Sequence, residues 1–279
     1  MIHILTLNWN GLDKLKELFG SLLPAVEEMK AIDHDWKWYV RDNGSTDGSK
    51  EWLSELKNVE LLSVDHNRAT YAQGMNSLFE MVRQNIEPND VVLFLNNDVV
   101  IEDRHSLAKM FRLLNYHTCH IGIVGARLLY KGTNRLQHAG VIFGPRYGNM
   151  PYHYRHKEPS DAAAEKNRFF QAVTAACCMV SWEAFMDVGD MDEKFAWAFE
   201  DIDYCLRAGQ QGHRIAYCGE TKIYHEESAS LKKNPVNKMF LSRNVKHFKK
   251  KCGGTYGLDH EKYLKDPNFN LLRTVQAEV

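Results

Sequence analysis

The sequence has no long hydrophobic run and no excess of one charge. Its longest apolar run, Val91–Leu95, is far below the roughly 18 residues that a membrane-spanning helix needs. The 279 residues include 35 Lys or Arg and 36 Asp or Glu, a balance that argues against a histone-like polycation or an acidic tail protein. With 18 Gly and 7 Pro the chain is too poor in these residues to contain a low-complexity linker. The composition is that of an ordinary folded protein.

The sequence also lacks the marks of an exported protein. None of its 6 cysteines forms a C-x-x-C pair, so we predict reduced, mostly buried thiols of an intracellular protein. Residues 1–7 contain neither a basic leader nor a small-residue cleavage site. We therefore expect a cytoplasmic location.

Three common nucleotide and hydrolase motifs are missing. No G-x-G-x-x-G follows the first apolar run, residues 44–50 do not have the spacing of a P-loop, and no serine sits in a nucleophile elbow. Where glycines would stand, the chain has acidic and amide residues. Such residues suit a nucleotide held through its base and ribose, with a cation neutralising its phosphates.

Short apolar runs alternate with amphipathic stretches in the first hundred residues. The runs cover 2–7, 36–41, 59–64 and 91–95. Strand and helix in alternation predict an α/β fold with a mostly parallel central sheet, covered by helices on both faces. Polar clusters end three of the strands, at residues 8–10, 42–44 and 96–98. The carboxyl ends of such strands share one edge, so we expect one ligand site there rather than three unrelated turns.

The second half of the chain is less regular. Residues 144–170 have no clear periodicity, and a loop this long is often a lid or a binding loop. We predict strands over 121–124, 140–143, 172–180, 213–218 and 222–225, helices over 182–188 and 201–208, and a last helix beginning near Pro235.

Two acidic positions and one histidine are candidates for chemistry. Asp98 follows a buried strand directly, and one carboxylate with substrate phosphates can hold Mg²⁺ or Mn²⁺. Glu200 and Asp201 open a predicted helix after an aromatic run that contains Trp197, where a general base could lie beside a sugar-stacking platform. His225 ends a short strand. Each also has a structural interpretation, as a turn residue, a helix-capping acid or an ordinary histidine.

Several segments together resemble the family 2 glycosyltransferases, which have the GT-A fold. Residues 42–49 read DNGSTDGS, very close to a turn of that family, and residues 200–203 read EDID, like its "ED" motif. The matching segments, in the family's order, are 4–11, 40–49, 67–76, 93–98, 175–180, 188–193, 200–207, 212–215 and 223–225. The resemblance covers about residues 2–250.

The resemblance implies inverting transfer from a UDP-sugar or dTDP-sugar to an acceptor hydroxyl. Asp42 would accept a hydrogen bond from N3–H of the pyrimidine. Asp98 and His225 would coordinate Mn²⁺ or Mg²⁺, Asp201 would be the general base, and Glu200 would position the base or the acceptor. Trp197 would contact the acceptor. The remaining residues that the resemblance assigns to the nucleotide-sugar are Thr6, Asn8, Asn10, Asn43, Asn67, Arg68, Asn76, Asn96 and Asn97.

The sequence departs from the family pattern at two places. Asn96 replaces the first aspartate of the D-x-D motif, which leaves Asp98 as the one anionic ligand of that loop. Ala69 stands where the family usually has glycine, and residues 74–76 lack an arginine that some members place on the phosphates. Arg68 is a substitute for that arginine in our interpretation.

The net charge of the chain conceals an uneven distribution. Residues 229–279 hold eleven Lys or Arg and four Asp or Glu, a sum of +7, whereas residues 1–228 sum to −8. We predict a GT-A domain over 1–228, with a nucleotide half over 1–100 and an acceptor half over 101–228. A basic helical extension follows over 229–279. The basic stretch 229–252 is either a solvated helix face or a contact for an anionic acceptor, a membrane surface or nucleic acid.

The sequence leaves the substrates open. A glycan or lipid-linked glycan is the favoured acceptor, and a modified base in DNA is a less favoured one. A sugar-nucleotide nucleotidyltransferase is the nearest alternative function, although residues 8–13 lack the Gly-, Arg- and Lys-containing loop of those enzymes. A catalytically inactive nucleotide- or carbohydrate-binding module is the third possibility, against which Asp98 and Asp201 both argue.

Overall fold

A computed structural model describes residues 1–116, 119–145, 148–196, 198–226 and 236–272, with side chains of the last range described from residue 241. Its strands are β1 Ile2–Asn8, β2 Trp36–Asn43, β3 Val59–Val64, β4 Val91–Leu95, β5 Val99–Ile101, β6 Ile121–Tyr130, β7 Leu136–His138, β8 Val141–Phe143, β9 Pro151–His153, β10 Arg168–Phe170, β11 Cys177–Ser181 and β12 Arg214–His225. Its helices are α1 Leu12–Lys30, α2 Ser49–Ser54, α3 Tyr71–Arg83, α4 Ser106–Leu114, α5 Trp182–Val188, α6 Glu200–Gln210, α7 Val236–Cys252 and α8 His260–Lys265.

One large mixed sheet organises the molecule. Its strand order is β10-β12-β6-β11-β4-β1-β2-β3, with β5 and β7 attached at the side. Strands β1 to β4 run parallel, and β11 runs antiparallel to both β4 and β6, so β6 and its parallel neighbour β12 point the same way as β4. Six of the eight ordered strands therefore share one direction, which confirms the predicted α/β fold with a mostly parallel sheet.

Helices cover both faces of this sheet. On one face, Leu18 of α1 and Met110 of α4 pack into a core cluster with Trp38 of β2. On the other, Phe79 of α3 stacks on Phe94 of β4 with ring centroids 5.2 Å apart. Each fully buried side chain of this size contributes roughly 1.5–3 kcal/mol through the hydrophobic effect. The two layers fix the sheet, and with it the edge where the polar strand ends meet.

The second half differs from the sequence prediction in five ways. The strand predicted over 121–124 continues to Tyr130 as β6. The strand predicted over 172–180 begins only at Cys177. The two strands predicted over 213–218 and 222–225 are one strand, β12, with a register shift between Cys218 and Ile223. The predicted long loop contains β9 and β10. The sequence prediction also missed β5, β7, α4 and α8, because strands of three residues have no visible periodicity and α4 and α8 are short.

The C-terminal segment packs on the rest of the molecule. Phe248 and Cys252 of α7 and Tyr263 of α8 belong to the same core cluster as Phe79. Lys251 forms ion pairs of 2.8 Å with both Asp192 and Asp203. The predicted boundary near residue 228 lies outside the described residues and stays a prediction. No helix in the described ranges is long and apolar enough to cross a membrane.

Candidate active site

The ends of β1, β2 and β4 are joined by a closed polar network. Asn8 and Asp42 are register partners across β1 and β2. Asn8 Nδ2 donates to Asp42 Oδ2 at 2.9 Å, and Asn97 Nδ2 donates to Asn8 Oδ1 at the same distance. Asp42 also accepts from the Ser45 backbone N–H at 2.9 Å and from its hydroxyl at 2.6 Å. These hydrogen bonds between protein groups fix the side-chain positions at the predicted ligand edge.

The DNGSTDGS turn has a physical reason for its glycine at position 44. Gly44 has a φ of +75°, and a Cβ there would lie 2.8 Å from the backbone of Asp65 and His66. Asp47 accepts a hydrogen bond from the Leu12 backbone N–H at 2.9 Å, where α1 begins. Asn10 Oδ1 accepts from the Thr46 backbone N–H at 2.8 Å. Hydrogen bonds to this turn therefore fix the loop after β1 as well as the end of β2.

Two residues of the predicted nucleotide-sugar set have side chains that are engaged within the protein, and their contact with a donor stays a prediction. Thr6 is fully buried, and its hydroxyl accepts from Trp38 Nε1 at 2.8 Å inside the core. Asn76 uses both ends of its amide on the protein: Oδ1 accepts from the Met191 backbone N–H at 2.8 Å, and Nδ2 donates to Met191 O and Glu193 Oε1 at 3.0 Å. Asn76 therefore joins α3 to the loop before α6 through hydrogen bonds. The Thr6 hydroxyl joins β1 to Trp38 of β2 inside the core.

The other predicted donor residues fall into two groups. Asn43 is buried and accepts from Arg41 Nε at 2.9 Å, which holds it beside the network. Asn67 and Arg68 are exposed in the loop between β3 and α3. Their contact with a donor stays a prediction.

Asp98 and His225 lie side by side, as the resemblance implied. Asp98 Oδ1 is 3.0 Å from His225 Nε2, because β5, which begins next to Asp98, pairs antiparallel with the end of β12. His225 Nδ1 is 2.6 Å from Gln137 Oε1. An amide oxygen only accepts, so Nδ1 carries the proton and Nε2 is directed at Asp98. Asn96 Nδ2 is 3.3 Å from the same Nε2.

This pair has the chemistry of a divalent cation site. The 3.0 Å separation of Asp98 Oδ1 and His225 Nε2 matches neighbouring ligands about 2.1 Å from an octahedral ion. Gln137 supplies the outer hydrogen bond that metal-binding histidines usually have. Lys14 Nζ, 3.7 Å from Asp98 Oδ2, brings a positive charge to the other carboxylate oxygen. The described ranges contain no group of three or more His, Cys, Asp or Glu suited to a metal, so a cation here needs further ligands from substrate and water.

Glu200 and Asp201 form a second, very different acidic pair at the start of α6. Asp201 accepts from the backbone N–H of Ala175 at 3.3 Å and from that of Ile202 at 2.8 Å. Burial raises the pKa of Asp201, and these hydrogen bonds oppose the rise. Burial and the adjacent Asp201 carboxylate raise the pKa of Glu200 to about 8. Burial and the neighbouring carboxylate therefore favour the protonated form of Glu200, whereas the backbone donors favour the ionised form of Asp201.

The backbone before this pair is strained. Ala198 and Phe199 have φ values of +65° and +75°, a region that costs energy for residues with a side chain. Glu200 Oε2 is buried and has no hydrogen-bond partner among the described residues. Backbone strain and unsatisfied buried polar atoms both occur at functional sites. Trp197, the predicted acceptor platform, lies outside the described residues.

Sequence reasoning missed Gln137, Lys14 and Ala175. Gln137 lies in β7, a strand of three residues that no motif announces, 88 positions from His225. Lys14 is one of many lysines, and Ala175 acts through its backbone N–H, which carries no residue signal. Only the three-dimensional structure brings these groups to the site.

Comparison with known structures defines the fold class. The chain superposes on a crystal structure of GalNAc-T7 with UDP, GalNAc and Mn²⁺ with a TM-score of 0.63 and 11% identity, covering 84% of this chain and 45% of that one. This neighbour has the GT-A fold, and so does the present chain. The family model described as "Glycosyltransferase like family 2" matches residues 51–239. The chain therefore belongs to this family.

Sequence relatives agree with the family assignment. An uncharacterized protein, y4gI, of Sinorhizobium fredii is 30% identical over 76% of this chain, which spans only 24% of that relative. The N-acetylglucosaminyl-diphospho-decaprenol L-rhamnosyltransferase of Mycobacterium tuberculosis (strain H37Rv) is 25% identical over 80% of this chain and 75% of its own length.

Proposed function

We propose that this protein transfers a sugar, with inversion, from a UDP-sugar or dTDP-sugar to a hydroxyl of a glycan acceptor, with Asp201 as general base. The observation that carries the proposal is the Glu200–Asp201 pair. Two backbone N–H groups donate to Asp201 and favour its ionised form, while burial and the adjacent Asp201 raise the pKa of Glu200 to about 8. A single displacement needs one such base and no enzyme nucleophile.

The reaction balances with the groups present. The acceptor oxygen forms a bond to the anomeric carbon from the face opposite the diphosphate, and its proton passes to Asp201. The bond from the anomeric carbon to the diphosphate oxygen breaks, and its electron pair leaves with the nucleoside diphosphate. A proton on Glu200 removes a second negative charge from beside Asp201, which favours the ionised form of Asp201 that accepts the proton.

The donor lies, in this proposal, across the edge formed by β1, β2 and β4. Asp42 has one acceptor position beyond the three hydrogen bonds that it already makes. Asn8, Asn10, Asn96 and Asn97 would line the rest of this edge. Asp98 and His225 would hold Mn²⁺ or Mg²⁺ beside the diphosphate. When bound, the cation neutralises charge on the leaving group. The structural neighbour that holds UDP and Mn²⁺ supports this arrangement.

Two further features bear on the setting of the reaction. The relative named for a diphospho-decaprenol acceptor supports a lipid-linked glycan over a base in DNA. All six cysteines are free, and five of them are buried, which fits a reducing compartment such as the cytoplasm.

The proposal is tested by donor hydrolysis and nucleotide binding. Purified protein is mixed with UDP-glucose, UDP-N-acetylglucosamine or dTDP-rhamnose, with Mn²⁺ or with EDTA, and released nucleoside diphosphate is measured. We expect release from at least one donor, and loss of the metal-dependent part of UDP binding in His225→Ala. The proposal fails if no donor releases a nucleoside diphosphate and UDP leaves the melting temperature unchanged. Unaltered metal dependence in His225→Ala removes that residue from the site.

A further inference from the structure

The last long helix, α7, packs against the segment that leads into Glu200 and Asp201. Phe248 of α7 is fully buried, and its ring centroid lies 6.5 Å from that of Phe195 and 5.2 Å from that of Phe199. Phe199 is the second of the two left-handed residues before the acidic pair. Apolar packing is non-directional, so these contacts bring α7 against the strained backbone without fixing how each peptide group is turned.

Asn244 of α7 makes the directional contacts with this backbone. Its side chain is fully buried, Oδ1 accepts from the Ala196 backbone N–H at 3.3 Å, and Nδ2 donates to Ala198 O at 3.3 Å. Ala198 O belongs to the peptide group between the two left-handed residues. Such residues persist only where the surrounding structure holds them. Because a buried amide without its hydrogen bonds costs free energy, Asn244 favours the backbone conformation that pairs it.

Two charged contacts of α7 hold the ends of the same segment. Lys251 Nζ lies 2.8 Å from Asp192 Oδ2 and 2.8 Å from Asp203 Oδ1, so one ammonium joins a residue before the acidic pair to a residue after it. His247 Nε2 donates to Asp192 Oδ2 at 2.9 Å. Burial acts to raise the pKa of Asp192, but the hydrogen bonds from Lys251 and His247 outweigh it and hold that pKa below its usual range. The carboxylate therefore stays ionised and paired.

These contacts come from one face of α7. Relative to Asn244, the residues His247, Phe248 and Lys251 follow after three, four and seven positions, which is the spacing of a single helix face. At least one cation of the basic stretch 229–252 is therefore used inside the protein. The same face sets where α6 begins, and with it the place of Asp201. In an oriented reaction, a displacement of about 1 Å costs about a hundred-fold in rate.

We propose that Asn244 is a positioning residue for the general base. Its amide holds the peptide group between Ala198 and Phe199 in the orientation that starts α6 with Asp201 directed at the acceptor hydroxyl. Asn244 acts through the backbone and not on the substrate. The inference rests on the proposed function, whose base is Asp201, and gives the C-terminal helix a part in the reaction.

The first test compares two variants that each lose a bridging amide. Asn244→Ala should lower kcat per folded molecule about a hundred-fold for the donor that the wild type hydrolyses, with the donor KM within about two-fold. Circular dichroism gives the folded fraction. Gln171→Ala is the matched control, because the Gln171 amide also bonds to a backbone N–H and C=O, those of Gly257, at 2.8 Å. It should change kcat less than about three-fold. Equal values of kcat per folded molecule in the two variants overturn the inference.

Asn244→Asp keeps the test decisive if Asn244→Ala does not fold. The introduced carboxylate still accepts from the Ala196 N–H but cannot donate to Ala198 O, whereas its protonated form can. The kcat of this variant, divided by the wild-type kcat at the same pH, should rise at least three-fold from pH 8 to pH 5.5. Division by the wild-type value cancels the titration of Asp201 itself. A ratio that stays constant with pH overturns the role of the Asn244 donor.

Hydrogen exchange separates this inference from the proposed function. In Asn244→Ala, or in Asn244→Asp at pH 8, backbone amides of 195–206 should exchange at least ten-fold faster than in the wild type. The Asp203 N–H, which donates to Phe199 O at 2.8 Å, is among them. Amides of 40–49, at the donor edge, should keep the wild-type rate. Unchanged exchange over 195–206 overturns the inference. If the wild type hydrolyses no donor, the proposed function fails, and the exchange rates still decide whether Asn244 holds this backbone.

Discussion

The donor edge and the start of α6 are both buried and acidic, yet they are built in opposite ways. At the donor edge, Asp42 accepts three hydrogen bonds and Asn8 joins it to Asn97. At the start of α6, Glu200 Oε2 has no partner in the described part of the chain and the two preceding residues are left-handed.

The difference separates a recognition surface from a reacting one. A satisfied network holds its shape and its charge, so it can present a fixed pattern to a nucleotide. An unsatisfied carboxyl keeps its proton at neutral pH and tunes the group beside it. The start of α6 combines two left-handed residues with an orphaned carboxyl oxygen, whereas the donor edge has a left-handed Asn10 but no orphaned side-chain atom among the described residues.

The largest effect should come from removing the base. Asp201→Asn keeps the shape of the side chain but cannot take the acceptor proton, so kcat should fall about a hundred- to ten-thousand-fold. UDP affinity should stay within about two-fold, since Asp42 and Asn8 are untouched. Single-turnover transfer and calorimetry measure the two quantities. Residual turnover near the wild-type rate shows that another group is the base.

Next in size is the loss of the outer hydrogen bond to His225. Gln137→Leu leaves Nδ1 without its acceptor and should weaken Mn²⁺ binding roughly ten- to hundred-fold. Electron paramagnetic resonance titration of Mn²⁺ with UDP measures this directly. Gln137→Glu restores an acceptor and should recover most of the affinity. A general packing defect would weaken both variants alike, and would contradict a positioning role for Gln137.

A smaller effect is expected from opening the donor network. Asp42→Asn removes the charge that three donors share and should lower the free energy of unfolding by about 1–3 kcal/mol. Asp65→Asn is the control, because Asp65 is almost fully exposed and should change stability by less than about 0.5 kcal/mol. Urea unfolding compares them. Equal stability of the two variants would mean that the network contributes nothing to the fold.

The smallest effect is a change in how stability depends on pH. The pKa of Glu200 is raised to about 8 in the folded protein, above its unfolded value near 4.5, so the folded state binds more protons between these pH values. Glu200 therefore makes stability fall as pH rises through this window. Glu200→Gln cannot ionise and should flatten that part of the profile. Melting temperatures from pH 5 to pH 9 measure the slope, and identical slopes would place the raised pKa elsewhere.

The sequence predicted those strands and helices whose apolar residues recur at a regular spacing. Val59–Val64, Val91–Leu95 and Trp182–Val188 have the bounds that the apolar pattern gave them, because local periodicity decides such elements. The pattern could not separate one bulged strand from two short ones, so β12 was predicted in two pieces. A polar segment between two apolar runs gives the same sequence pattern whether it is a bulge within one strand or a loop between two strands.

The candidate site could be predicted only in part, and for a related reason. Asp98 and His225 came from motif resemblance, and the structure brings them within hydrogen-bond distance. Thr6 and Asn76 matched the motif equally well, but their side chains face the core and a neighbouring loop. Which way a side chain points depends on strand register and on non-local neighbours, and a single sequence contains neither.

The register shift within β12 has a consequence for the length of the chain. His225 faces Asp98 because the strand resumes its pairing at Ile223 with the correct phase. Gly219 in that interval passes so close to Ala164 and Glu165 that a Cβ would lie 2.6 Å from their backbone. Deleting one residue between Cys218 and Ile223 would turn His225 to the opposite side of the sheet. Short insertions and deletions in this interval are therefore expected to abolish activity among random variants of the gene, although none of its residues touches a substrate.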